Sequence, residues 1–317
     1  MNSTDPGNAP CGVTVIITTY NYAGVLSAAI NSVLAQDHPL VETIVVDDGS
    51  TDHTSDVIAG FGDRVRYIYQ PNTGLSAARN TGIRAARHAF VAFLDADDVW
   101  LPGMLSALMR AFSCLPPEFG LVACSSKKVR ISGHQVVKAT LTTPSAREVS
   151  REELILMNRF ASDAVVVRQG VLEKCGYFDT TLTSSEDRDL WIRLAEHSRI
   201  YFLPDLLVTV HVHTDSMSHN PDRMKFNMSK VLFQVRQRCR RMTRFSPFFW
   251  AKVRAFYHYQ VAWMYMNAGR PLIACREMFL SLLCWPLFLH PGELRENCCF
   301  RIRSLLYFST WKLRRFS

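Results

Sequence analysis

The sequence predicts the α/β class: a mostly parallel, doubly wound sheet flanked by helices, followed by a helical C-terminal region. Three observations carry this expectation. Short apolar runs alternate with segments that are apolar at helical spacing, the pattern of repeated βαβ units. Polar and acidic clusters follow the apolar runs, as expected where ligands meet the carboxyl ends of parallel strands. After about residue 222 the strand-like runs stop and only helical periodicity remains.

Residues 1–12 are polar and read as a disordered lead-in, with no basic segment and no apolar core of a signal peptide. Val13 to Ile17 form the first expected strand, left through Thr18-Thr19-Tyr20-Asn21. Val25, Ala29 and Val33, with Leu26, Ile30 and Leu34, recur at spacing four and predict a helix. Thr43 to Val46 is the second strand, ending in Asp47-Asp48-Gly49-Ser50-Thr51-Asp52, where Thr51 or Asp52 caps a helix running to about Ala59. A third strand spans 65–69. Pro71 to Gly74 is a turn, and a helix follows to His88. The apolar run at 90–94 predicts the central strand, with Asp95, Asp97 and Asp98 where it ends. Beyond it the sequence predicts a helix from Pro102 to about Cys114 and a strand at 120–124. A hairpin of 127–131 and 135–139 and a loop over 140–150 follow. Then come a helix over 151–160, a strand over 164–167, a helix over 186–197, and separate strands at 200–203 and 206–210. The expected domains are 13–220, carrying the sheet, and 221–317, basic and helical.

Charge is unevenly placed. Residues 1–222 hold 18 Lys+Arg against 25 Asp+Glu, and residues 223–317 hold 18 against 3, nets of −7 and +15. Nine scattered cysteines lack zinc-finger spacing and read as free thiols of a reducing compartment. The most apolar tail stretch, 278–289, is shorter than the roughly 20 residues a membrane span needs.

Three acids within four positions repel one another unless a cation sits among them, and hard divalent cations take carboxylate oxygens together with substrate phosphates. No Gly-x-Gly-x-x-Gly follows the first strand and no Gly-Lys-Ser/Thr loop exists, which argues against a nicotinamide enzyme and a P-loop NTPase. A metal plus an arginine would handle phosphate charge instead, and the acids at 95–98 with Arg79 supply both. In a parallel sheet Tyr20, Asp48, Arg79 and Asp97 gather at one edge.

Five segments stand in order: 13–21 (Val-Thr-Val-Ile-Ile-Thr-Thr-Tyr-Asn), 46–52 (Val-Asp-Asp-Gly-Ser-Thr-Asp), 74–82 (Gly-Leu-Ser-Ala-Ala-Arg-Asn-Thr-Gly), 93–98 (Phe-Leu-Asp-Ala-Asp-Asp) and 186–191 (Glu-Asp-Arg-Asp-Leu-Trp). Together, across about residues 12–218, they resemble the family 2 inverting glycosyltransferases of GT-A fold, whose sheet is Rossmann-like. The resemblance implies a nucleotide-sugar donor, most often a UDP-sugar, with Mg²⁺ or Mn²⁺ as cofactor. It assigns Thr18 and Tyr20 to the base pocket, Asp48 to the uracil N3–H, Arg79 to the diphosphate, and Asp95 to the ribose and metal. Asp97 would be the direct metal ligand, and His213, in His213-x-x-Ser216-x-Ser218, would reach the diphosphate or metal. Asp187 would be the base that takes the acceptor hydroxyl's proton, with Glu186 orienting acceptor or base. One departure is Arg87-His88-Ala89, where the family usually has Gly-Glu.

The resemblance also implies an acceptor that is a saccharide or lipid-linked, in surface polysaccharide assembly. The alternative is a non-catalytic nucleotide-sugar-binding or scaffold protein, though none of the expected acids is lost. The basic, aromatic tail lies outside the resemblance. Its amphipathic pattern favours peripheral contact at the cytoplasmic face of the membrane over nucleic-acid binding, since no nucleic-acid motif is present; the alternative is a helical subdomain packed on the sheet with its charges solvated.

Overall fold

The computed structural model describes residues 11–132, 135–140, 145–212, 220–242, 246–286 and 300–314. The chain forms two compact units, one of residues 1–151 with 159–213, the other of 152–158 with 214–317.

The first unit is built on one mixed sheet. Its strands are β1 (Val13–Thr19), β2 (Val41–Asp47), β3 (Arg66–Tyr69), β4 (Phe90–Asp95), β5 (Val99–Trp100), β6 (Phe119–Ser132), β7 (Gln135–Thr140), β8 (Arg147–Val149), β9 (Val165–Arg168) and β10 (Arg199–Val212). The order is β3-β2-β1-β4-β9-β6-β10-β5, with β7 on β6 and β8 on β10. Strands β3, β2, β1 and β4 are parallel neighbours, as are β6 and β10. β9 runs antiparallel between β4 and β6, and β5, β7 and β8 pair antiparallel. The sheet is therefore mostly parallel in paired length but mixed in direction.

Helices α1 (Ala23–Leu34), α2 (Thr54–Ala59), α3 (Leu75–Ala85), α4 (Met104–Cys114), α6 (Gln169–Cys175) and α7 (Glu186–Leu194) accompany the sheet. Of the apolar positions at spacing four in α1, Leu26, Ala29, Ile30 and Val33 are buried, whereas Val25 is exposed and Leu34 half-buried. The buried four join Val15, Ile17, Val45, Ala92 and Leu94 in one core with Leu105, Leu108 and Phe112 of α4. Helix α3 lies close on β1: a Cβ on Gly82 would sit 2.4 Å from Ile16 Cγ2, so a larger residue would push the helix off the strand. Gly74, at the entry to α3, has φ +93°, a conformation in which L side chains are strained.

Several boundaries differ from expectation. β6 and β10 are each one long strand. Pro204 interrupts the pairing of β10, whose register shifts between Phe202 and Leu206, yet the strand continues beyond it. The expected loop 140–150 holds β8, which pairs with β10. The helix begun at Arg151, α5 (Arg151–Leu156), stops before Phe160. β5 and α6 are too short to carry a readable period.

The second unit is helical: α8 (Pro221–Met242), α9 (Pro247–Asn267), α10 (Pro271–Cys284) and α11 (Phe300–Arg314). Three of these begin at proline, which lacks only an N–H that the first turn would leave unpaired. Ser246 caps α9 by accepting from the Phe249 amide. Val261, Ala262, Tyr265, Met266, Ala274, Met278 and Phe308 form its core. Among the described residues no helix is long and apolar enough to cross a membrane, and all seven described cysteines are free thiols.

Candidate active site

The parallel register of β1, β2 and β4 aligns their polar ends. Thr18 stands opposite Val46 and Asp95, and Thr19 opposite Asp47. Thr18 Oγ1 is 3.5 Å from Asp95 Oδ1, the outer limit of a hydrogen bond. β9 brings its own beginning to this edge because it runs the other way. Asp163, just before β9, accepts the Asp95 amide at 2.8 Å, and its carbonyl accepts from Trp100 Nε1 at 2.8 Å.

Arg79 ties the edge together from α3. Its side chain is 2% exposed; it donates to Glu186 Oε1 at 2.8 Å, to Asp95 Oδ1 at 2.7 Å and to Ser162 Oγ at 3.0 Å. Its guanidinium lies 5.3 Å from the Phe178 ring centroid. The next residue, Asn80, holds Phe178 in place by exchanging two 2.9 Å bonds with its backbone. Burial alone would lower the Arg79 pKa, but the Asp95 and Glu186 carboxylates overcome this and raise it. Glu186 is itself raised, by burial and by neighbouring Asp187, against the pull of Arg79.

Glu186 and Asp187 open α7 after Ser185, whose φ is +59°. Asp187 is half-buried and its Oδ1 accepts the Arg188 amide at 2.6 Å. Acids in a first turn also favour the helix dipole.

Asp95, Asp98 and Asp163 each offer a carboxylate oxygen within 4.8 Å of the others. Asp98 also accepts the His211 amide at 2.8 Å. Burial, then the neighbouring acids, push Asp98 well above the usual carboxylate range, and Asp163 up to about 7. Three oxygen donors at this spacing fit a hard divalent cation, which would favour the ionised forms instead. Asp97 is half-buried and outside this trio; its carbonyl lies 2.6 Å from His211 Nδ1. His213 lies outside the described residues.

Asp48 and Tyr20 stand at the same sheet edge without a direct bond to the Arg79 cluster among the described residues. Asp48 is buried and accepts from the Thr73 and Gly74 amides at 3.0 and 2.7 Å and from Gln70 Nε2 at 2.7 Å. Two carboxylate oxygens have about four acceptor sites, so capacity remains on Oδ2. Tyr20 is 45% exposed, as a ring that stacks on a ligand would be.

Ser162, Asp163 and Phe178 were not anticipated as site residues. The available signal was Ser162-Asp163 immediately before an expected strand. Parallel strands bring their carboxyl ends to this edge, whereas antiparallel β9 brings its amino end, so these two residues precede their strand.

Comparison with known proteins follows this geometry. The sequence profile of Glycosyl transferase family 2 matches residues 14–175, half of the chain. An uncharacterized glycosyltransferase of Rickettsia prowazekii is 30% identical over 207 residues, 63% of this chain and 64% of the relative. One from Nostoc sp. is 50% identical over 104 residues, 32% of each chain. The chain thus covers just under two thirds of the length of the Rickettsia relative. Among solved structures, Staphylococcus aureus TarS 1–349 matches with TM-score 0.64 and 18% identity, covering 95% of this chain and 91% of that one. The mannosyltransferase PcManGT of Pyrobaculum calidifontis, in complex with GDP-Man and Mn²⁺, matches at 0.58 and 18%, covering 96% and 81%. These structural likenesses establish a GT-A fold, and with the family profile matched across half its length the chain belongs to glycosyl transferase family 2.

Proposed function

We propose that this chain is a metal-dependent inverting glycosyltransferase, of hexosyltransferase type, using a nucleotide-sugar donor, a UDP-sugar. The acceptor is a hydroxyl of a saccharide or lipid-linked saccharide in surface polysaccharide assembly, at the cytoplasmic face of the membrane. The single observation that carries this reading is Arg79, which joins Asp95 of the strand-end motif to Glu186 of the α7 motif in one buried cluster. Solved structures of the same fold support the donor class: one holds UDP-GlcNAc and one GDP-Man with Mn²⁺.

In this reading Thr18, Tyr20, Asp48 and Asp95 hold the nucleotide, and Arg79 balances the acids against the charge of the diphosphate. Asp97 and Asp95, with His213, would hold Mg²⁺ or Mn²⁺; the Asp95, Asp98 and Asp163 trio is a second arrangement of the same acidic edge. The cation would neutralise charge developing on the leaving diphosphate. Asp187 takes the proton of the acceptor hydroxyl as its oxygen bonds to the anomeric carbon. The bond to the nucleoside diphosphate breaks on the opposite side, so configuration inverts. Such a base contributes about 10²–10⁴-fold.

A panel of nucleotide-sugars, including UDP-GlcNAc and GDP-mannose, tests this with Mn²⁺ or with EDTA. Calorimetry should show binding that depends on Mn²⁺, with slow release of nucleoside diphosphate when water is the acceptor. Binding without any turnover would instead favour the scaffold reading.

A further inference from the structure

The helical unit gathers apolar and basic side chains at one end. Phe248, in the first turn of α9, and Trp285, just past α10, have ring centroids 6.4 Å apart. Phe249 packs edge-on against Trp250 at 5.6 Å, and the Arg236 guanidinium of α8 lies 5.7 Å from the Trp250 ring. Beside that ring runs a groove of about 200 Å³, walled by Leu232, Phe233, Trp250 and Val253 and flanked by Arg236 and Arg254. Near this groove and at the adjoining helix ends, large apolar side chains face solvent: Phe233 is 63% exposed, Phe248 71% and Leu283 63%. Singly exposed apolar residues are ordinary; several at one end of a unit, beside cations, mark a surface that something covers.

The charge identifies the covering partner. Residues 223–276 contain twelve Lys and Arg and no acid. A second copy would bring the same positive surface and be repelled. A nucleic acid would satisfy the arginines and the aromatic rings but leave the exposed Leu283 and the half-buried Leu232 without a partner. An anionic lipid surface satisfies both classes, with phosphates for the arginines and an acyl boundary for the aromatic and aliphatic side chains.

We infer that this end of the helical unit docks on an anionic phospholipid bilayer, with Arg236 and Arg254 on lipid phosphates and Phe233, Phe248 and Leu283 entering the acyl boundary. This deepens the membrane-face element of the proposed function and is independent of the transfer chemistry.

The test is sedimentation of the full chain with phosphatidylcholine vesicles, with or without phosphatidylglycerol, at low and high salt. Binding should require phosphatidylglycerol and weaken with salt. Arg236→Glu with Arg254→Glu should lower partitioning at least about 20-fold, from about 1 kcal/mol per basic residue. Phe248→Glu with Leu283→Glu should also abolish it. Leu272→Glu, at a 79% exposed position of α10 about 16 Å along the helix from Leu283, should bind as the parent does. All positions changed are exposed, and circular dichroism checks the fold; Phe248→Ser gives a milder version of the apolar variant. Absence of binding to phosphatidylglycerol vesicles overturns the inference. So does a loss with Leu272→Glu as large as with Phe248→Glu and Leu283→Glu. If short RNA competes while the apolar variant binds vesicles normally, the patch is a polyanion site. If the variants abolish a concentration-dependent dimer, it is a self-association surface. Nucleotide-sugar binding measured on the same samples separates failure here from failure of the proposed function.

Discussion

The two units bury charge in opposite ways. In the sheet unit one guanidinium sits among acids, Arg79 between Asp95 and Glu186 with Asp163 beside them. In the helical unit one carboxylate sits beside a cation: Glu277, 1% exposed, accepts from Lys225 Nζ and lies beside His258 Nδ1, each at 2.7 Å. Burial alone would raise the Glu277 pKa, but the bonds from His258 and Lys225 prevail and lower it. Around Arg79 the balance fails, and Asp98, Asp163 and Glu186 are pushed upward. A buried charge with its opposite in hand joins helices; a buried surplus of one sign marks a candidate site for a ligand of the other.

The largest effect expected is from Arg79→Met, which leaves Glu186 buried, and Asp95 half-buried, without their cation. Breaking a buried pair costs about 3–5 kcal/mol. Urea denaturation should show that loss, and Arg79→Lys should recover only part of it, because an ammonium lacks the fork that reaches both acids. A cost below about 1 kcal/mol would make the cluster no more than a surface pair.

Asp187→Asn should leave nucleotide binding near that of the parent and lower transfer by about 10²–10⁴-fold. Near-normal transfer would move the base elsewhere, with Glu186 next. In the other unit, Glu277→Gln should cost about 2 kcal/mol with no change in donor binding. The smaller figure follows because Lys225 and His258 are partly exposed and can rehydrate.

The two clusters should also respond to pH with opposite sign. Asp163 at about 7 lies above its ordinary 3.8, so the folded sheet unit keeps a proton that the unfolded chain releases. In EDTA its stability should be highest below about pH 4 for this group and be lost as pH rises through 7. Glu277 is held below its ordinary 4.5, so its contribution is present above that value and is lost as pH falls through the lower folded one. Thermal melts followed separately for each unit check both directions. Mn²⁺ should flatten the first response and leave the second alone; no effect of Mn²⁺ on either would count against a cation at the acidic edge.

β1, β2 and β4 were legible as apolar runs followed by polar clusters, and α1 by its spacing of four. Strand ends alone joined Tyr20, Asp48, Arg79 and Asp97, whereas Thr18, Asp95 and Glu186 came from the family resemblance; the structure brings Arg79, Asp95 and Glu186 into direct contact. What escaped was direction. An apolar run such as Val165–Val167 reads the same whichever way it runs, so β9 could not be known to bring Ser162 and Asp163 to the site. The strands expected separately at 200–203 and 206–210 are one, because the backbone of β10 continues past Pro204. The Glu277 joint was invisible because its partners lie 52 and 19 residues away on other helices, and no periodicity records such a pairing.

The antiparallel entry of β9 also bears on the order in which the chain folds. The Asp95 amide meets Asp163 68 residues on; Arg79 meets Ser162 83 residues on and Glu186 107 residues on. Contacts so distant pay loop closure first and form slowly. During synthesis β1 to β4 emerge earliest, with Arg79 and Asp95 still in water, where their charges are harmless. Desolvation of the cluster is therefore a closing step, made only when α7 arrives. A chain halted before residue 186 would present β1 to β4 without the acid that completes the cluster.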